Sequence, residues 1–177
     1  MRRRARLGGA VVVAACCLLL VAGCVPQGLA FRVDDRLTIT APKDRAEVSL
    51  PLTVSWEIRD FTVVDPGGTP TGKDSGYFAV FVDQAPQPPG KPLSWIAHND
   101  RACRAADGCP DAEYLAARHI FSTTDTHITF AQLPLSSGES KQKERHSITV
   151  ILLDPAGKRI GESAFQIDIS VNRRSLS

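Results

Sequence analysis

The sequence predicts an all-β protein, an antiparallel β-sandwich of about seven short strands. Residues 52–58 and 165–171 alternate between apolar and polar side chains, which is the pattern of strands with one buried face. Residues 77–83 and 147–154 are apolar on both faces, as expected of strands in the middle of a sheet. Short strands separated by turn residues, with little helix, are typical of sandwich folds.

The first 23 residues have the composition of a secretory signal. Four arginines lie among the first six residues, and residues 7–23 carry no charge. The run ends in Val21-Ala22-Gly23 directly before Cys24, and this stretch resembles the lipobox of bacterial lipoproteins. The resemblance implies cleavage before Cys24 and lipidation of that residue. The alternatives are an uncleaved anchor helix and an ordinary signal peptide that leaves Cys24 as a free thiol.

Removal of this signal changes the charge of the chain. The whole sequence has 21 basic and 19 acidic residues, and loss of the four arginines leaves 17 basic residues against the same 19 acidic ones. A net charge of −2 without a long basic run argues against a nucleic-acid partner. The sequence therefore predicts a protein held by lipid on the extracytoplasmic face of a bacterial cell membrane.

The chain after the signal divides into a tether and one domain. Residues 24–36 show no sustained period and predict a lipidated N-terminus with a short tether. Residues 37–177 are long enough for one domain with its own hydrophobic core. Weaker strands of that domain are predicted at 37–40, 119–121 and 128–130.

The turn Asp154-Pro155-Ala156-Gly157 separates two strong strand segments. It predicts a β-hairpin formed by residues 145–154 and 159–171.

An insertion, residues 84–118, interrupts the strand pattern. Four prolines between residues 84 and 92 exclude a regular strand ladder there, because proline lacks the backbone N–H. Residues 110–118 begin with proline, carry acidic residues in the first turn and predict a short helix of two turns.

Two cysteines of the insertion, Cys103 and Cys109, predict a disulfide, because thiols of an extracytoplasmic protein are usually oxidised. The bond would pin a small loop within the insertion. The alternative is a metal site formed by the two thiolates with His98 and His119.

Three stretches of the domain carry a family resemblance. Thr38-Ile39-Thr40-Ala41-Pro42, Leu52-Thr53-Val54-Ser55-Trp56 and the strand YFAVFVD at 77–83 resemble the immunoglobulin-like and fibronectin type III-like domains of bacterial surface proteins. The resemblance covers residues 37–171. It implies an immunoglobulin-like sandwich with Trp56 in the core position of the second strand, and with the insertion in place of a short connection.

Motifs that would indicate an enzyme are missing from the sequence. It contains neither the nucleophile motif G-x-S-x-G nor the phosphate-binding motifs G-x-x-x-x-G-K-[ST] and G-x-G-x-x-G. No catalytic residue, cofactor or metal is therefore predicted.

Histidines and carboxylates leave two metal hypotheses open. His127 and His146 flank predicted strands and could meet across a sheet edge to hold a metal or respond to pH, although solvated strand ends are the simpler interpretation. A calcium site near the disulfide would use four acidic residues of the insertion, namely Asp100, Asp107, Asp111 and Glu113.

The insertion is the predicted binding surface, with Trp95, His98 and Asp100 as candidate residues. Prolines and a disulfide would order this surface in advance, which lowers the free-energy cost of binding. Trp95 is either an exposed aromatic platform or a lid packed under its own loop. The predicted function is a non-enzymatic binding module for a protein or an envelope component. The first alternative is a module that binds carbohydrate or cell wall. An unrecognised enzyme or a metal-binding protein is a further alternative.

Overall fold

Nine strands form two sheets in the computed structural model, which describes residues 34–134 and 143–172. These residues belong to one unit, Val33–Ser177. The strands are β1 Leu37–Ala41, β2 Glu47–Val48, β3 Leu52–Ile58, β4 Thr62–Val63, β5 Ser75–Val82, β6 Ile120–Thr123, β7 His127–Phe130, β8 Lys143–Leu153 and β9 Phe165–Asn172. A 3-10 helix, Leu93–Ala97, and two short helices, α1 Arg101–Ala105 and α2 Ala112–Ala116, lie between β5 and β6.

The all-β class is as predicted, but the strands number nine within the described ranges rather than about seven. The two additional strands, β2 and β4, contain two residues each, too few to show a period in the sequence. Both pair in parallel, β2 with β9 and β4 with β5, so their sheet is mixed rather than purely antiparallel.

One sheet has the order β1-β3-β7 and is antiparallel. The other has the order β2-β9-β8-β5-β4, with β6 also paired to β5. As predicted, β5 and β8 both lie inside a sheet, because each has strand partners on two sides. The predicted hairpin pairs β8 with β9 antiparallel, but the regular ladder of the second arm starts at Phe165 rather than at residue 159.

The two sheets contribute to one hydrophobic core. Trp56 of β3 contacts Phe78 of β5 edge to face, with ring centroids 5.3 Å apart. The alternation predicted for β3 matches the burial observed. Leu52, Val54 and Trp56 are buried, whereas Thr53 is exposed and Ser55 is half-buried. The buried side chains from β3, β5 and β8 that form this core are Leu52, Val54, Trp56, Phe78, Val80, Val82, Ile148, Val150 and Leu152.

A second hydrophobic cluster lies on the other face of the larger sheet, under the insertion. All eight residues of β5 are buried, because its alternate side chains enter the shared core and this second cluster in turn. The insertion supplies Leu93 and Leu115, which pack against the sheet. The sheet supplies Tyr77, Ala79, Phe81, Ile151 and Leu153. The insertion therefore has a structural role in covering an apolar sheet face that water would otherwise contact.

Residues 34–36, assigned to the tether from the sequence, are bonded to the domain. The backbone N–H of Asp34 donates to Ser163 Oγ over 3.1 Å. The guanidinium of Arg36 donates to the carboxylates of Asp34 and Asp74, each over 2.7 Å. The rest of the predicted tether, the signal and Cys24 lie outside the described residues. Among the residues that are described, no helix has the length and apolar character needed to cross a membrane.

Candidate functional site

The insertion folds as three short helical pieces around the cysteine pair. Cys103 and Cys109 lie at disulfide distance, with Cα atoms 5.2 Å apart, as the sequence predicted. The predicted helix at 110–118 is reduced to α2, Ala112–Ala116, whose N-cap is Asp111. The 3-10 helix and α1 were not predicted. The sequence marks where both of these helices begin, since Pro92 precedes the 3-10 helix and Asp100 is the N-cap of α1.

Trp95 and His98 stack on each other at the surface of the insertion. Their ring centroids are 4.2 Å apart and the ring planes differ by 9°. The 3-10 helix and its C-cap His98 bring the two rings together, because side chains three positions apart eclipse one another in 3-10 geometry. His98 Nδ1 also lies 2.7 Å from the backbone oxygen of Trp95. Trp95 is half-buried and His98 exposed, so the indole is neither a fully open platform nor a buried lid.

Lys91 completes this group, which we call the Trp95 surface (Lys91, Trp95 and His98). Its ammonium lies 4.6 Å from the centroid of the Trp95 ring, a cation–π distance. The loop that carries Lys91 is held to the connection between β8 and β9, where Arg159 donates its backbone N–H to the oxygen of Lys91 over 2.9 Å. Lys91 was not singled out in the sequence, because cation–π contacts between loop residues leave no periodic signal.

Asp100, the third candidate residue, bonds within the scaffold rather than facing the Trp95 surface. Its Oδ1 accepts the backbone N–H groups of Ala102 and Cys103, each over 3.1 Å, and so caps α1. Its Oδ2 accepts from the Tyr114 hydroxyl over 3.0 Å and from Arg118 Nη2 over 3.2 Å. Both oxygens are therefore engaged. The hydrogen bond from the Cys103 backbone, followed by that from Tyr114, lowers the pKa of the Asp100 carboxyl.

Tyr114 and Arg118 link α2 to this cap. The Arg118 guanidinium lies over the Tyr114 ring, 3.5 Å from its centroid. Loss of hydration raises the pKa of the Tyr114 hydroxyl, and its hydrogen bond to Asp100 raises it further. These two residues are four apart in the predicted helix, a spacing at which helical side chains meet, so sequence reasoning could have paired them.

The two strand histidines lie in different sheets. His127 is exposed on β7 of the smaller sheet, whereas His146 belongs to β8 of the larger one. Expecting both to be solvated strand ends was wrong for His146, whose side chain is 1% exposed. His146 shares the parity of Ile148 and Val150, and side chains of one parity in a strand face the same side of the sheet.

His146 is held between two carboxylates at the end of the core. Its Nδ1 lies 2.7 Å from Asp83 Oδ2, and its Nε2 lies 3.6 Å from Glu144 Oε2. The other oxygen of Asp83 accepts the backbone N–H of Ser147 over 2.8 Å. Asp83 therefore holds the start of the β5–β8 ladder as well as the imidazole.

Metal ligands do not converge in the part of the chain that the structure describes. No group of three or more His, Cys, Asp or Glu side chains is placed there to hold a metal ion. Asp100 and Asp111 serve as helix N-caps instead. The zinc and calcium hypotheses therefore receive no support from these residues.

No protein-family model, curated protein or solved structure matches this chain.

Proposed function

We propose that this protein is a lipid-anchored, extracytoplasmic lipoprotein whose immunoglobulin-like sandwich presents a non-enzymatic binding surface on the insertion. The anchor is supported by the lipobox resemblance at Val21-Ala22-Gly23-Cys24. The sandwich is supported by two sheets that share a core containing Trp56. In this proposal the domain stands close to the membrane and binds a protein or another envelope component.

The observation that carries the binding role is the Trp95 surface. An indole, an imidazole and an ammonium are held together on a short segment that hydrogen bonds to backbone atoms keep in place. Tryptophan is enriched among interface residues that dominate binding energy, and a pre-ordered surface loses less conformational entropy on binding. The exposed imidazole and lysine add polar groups that can select a partner.

The geometry favours a protein partner over a carbohydrate. A sugar ring binds a tryptophan by lying flat on one face of the indole. His98 stacks against the indole and Lys91 lies over the ring, so both contacts occupy ring surface that a sugar would compete for. A protein partner needs only the exposed edge of the group and its polar atoms.

Site-specific photo-crosslinking in intact cells tests this proposal. A photoreactive residue replaces the exposed His98, and a matched control replaces the exposed Thr129 on the smaller sheet. We expect position 98 to capture a defined partner that position 129 does not. Capture of the same species with equal yield at both positions would contradict a recognition role for the Trp95 surface.

A further inference from the structure

The outer face of the larger sheet is apolar where the insertion covers it and polar beyond the edge of the insertion. On the polar part, Arg145 and Ser147 of β8 lie directly opposite Ser170 and Asp168 of β9. Paired residues of an antiparallel ladder share a face, so these four side chains lie close together. They line an open cavity of about 610 Å³.

A short segment before β2 forms one wall of this cavity. Arg45 donates its backbone N–H to the oxygen of Asp168 over 2.5 Å, and Ser170 donates to the oxygen of Ala46 over 2.9 Å. The backbone N–H of Asp168 donates to Asp44 Oδ1 over 2.9 Å. These bonds fix Arg45 beside β9. We call the site formed by Arg45, Arg145, Ser147, Asp168 and Ser170 the polar groove.

The backbone of Arg45 has a conformation that arginine rarely adopts. Its φ is 61°, in the left-handed region that glycine or asparagine adopts more readily than arginine. Its side chain is 87% exposed, so burial of its aliphatic stem does not offset the free-energy cost of this backbone conformation. Non-glycine residues in this conformation occur preferentially at functional sites.

The two arginines of the polar groove form few ion pairs within the described residues. Arg145 is exposed and forms no ion pair with them, and the guanidinium of Arg45 pairs only with the exposed carboxylate of Asp44, over 3.5 Å. Exposed ion pairs of this kind contribute little. The one carboxylate of the polar groove, that of the exposed Asp168, accepts a hydrogen bond from Gln166 Nε2 over 3.2 Å through Oδ1.

We propose that the polar groove binds a small organic anion, with the carboxylate or phosphate of the ligand between Arg45 and Arg145. Guanidinium groups match such anions with paired hydrogen bonds, and the hydroxyls of Ser147 and Ser170 are further donors. Asp168 selects ligands that also carry a hydroxyl or ammonium group, since it can only accept. The cavity volume lies in the range of small-molecule sites.

Calorimetric titration of the full chain in a non-ionic detergent tests this site. The probes are malate and glycerol 3-phosphate at constant ionic strength, each with a hydroxyl group and one type of anion. We expect at least one probe to bind with a stoichiometry of one, and the comparison tells which anion is preferred. Binding of neither probe at millimolar concentration would overturn the proposal.

Two variants and a control locate the binding. Arg145→Gln should weaken it about tenfold or more, because a charge-assisted contact is lost. Arg45→Gly should weaken it as well while leaving the melting temperature unchanged or higher, since glycine relieves the left-handed backbone. Arg101→Gln on α1 removes an exposed charge elsewhere and should leave affinity unchanged. Equal affinity in all three variants, or equal loss in all three, would contradict the assignment.

Discussion

The Tyr114 hydroxyl donates a hydrogen bond to Asp100 over 3.0 Å, and this contact joins the two short helices of the insertion across the cysteine pair. Each helix has only five residues and would be unstable alone in water. The hydrogen bond between Tyr114 and Asp100 therefore stabilises the two marginal helices as one scaffold beside the Trp95 surface.

Asp100→Asn should loosen this scaffold. Asparagine can still cap α1, but it loses the charge that accepts from Tyr114 and Arg118 together. We expect faster amide hydrogen exchange across 101–118, with the exchange of β5 and β8 unchanged. Asp107→Asn, an exposed change in the same loop, is the control and should exchange like the wild type.

The same carboxylate should make the insertion sensitive to acid. The pKa of Asp100 in the folded protein lies below its ordinary value of 3.8. The stability that its carboxylate gives the insertion is therefore fully present above pH 3.8, and it is lost as pH falls through the lowered pKa of the folded state. Exchange at 101–118 should rise in that window in the wild type. The rise should be smaller in Asp100→Asn, and an identical rise in both proteins would assign the effect to other groups.

Opening the bond between Cys103 and Cys109 should destabilise the insertion first. Closing a loop with a sequence separation of 6 restricts the unfolded chain by about 2–3 kcal/mol. Cys103→Ser with Cys109→Ser should lower the free energy of unfolding by up to this amount, measured by urea titration. Thiol labelling of the exported protein provides the chemical check, and two reactive thiols without reductant would contradict the disulfide.

Phe81→Ala tests the structural role of the insertion. Phe81 is fully buried in the second cluster, so the substitution should lower the free energy of unfolding by about 3–5 kcal/mol. Phe78→Ala makes the same change in the shared core and is the reference. A cost near zero for Phe81→Ala alone would mean that the insertion does not cover this face in solution.

Period-2 patterns predicted the strands well, because burial of alternate side chains is itself what creates the pattern. The β3 segment has the predicted bounds, Leu52–Ile58. The apolar run of β5 predicted a central strand, but not that the insertion is what buries its second face. That face is buried by residues more than ten positions away, such as Leu93 and Leu115, which local pattern cannot reveal.

The site was predicted less completely than the fold. Trp95 and His98 were named together and do meet, because His98 caps the 3-10 helix that contains Trp95 and lies three positions after it. Asp100 was named with them and instead caps α1, a role that its place before Arg101-Ala102-Cys103 could have suggested. Lys91 joins the group only through tertiary structure.

The anchor has a direct chemical test. Mass spectrometry of the mature N-terminus should find Cys24 as the first residue, carrying lipid. Cys24→Ala should abolish processing and leave the uncleaved chain, since no other residue of the lipobox can accept the lipid. An unmodified Cys24 at the N-terminus of the wild type would contradict the anchor.

The central claim, that the Trp95 surface binds a partner, is tested most directly by measuring affinity and stability together in Trp95→Ala. The partner recovered by crosslinking is titrated against the wild type and the variant. We predict affinity at least about fivefold weaker, as for a typical interface aromatic, with the melting temperature nearly unchanged because Trp95 is only half-buried. Unchanged affinity in the folded variant would contradict the claim, and loss of folding would place Trp95 in the core instead.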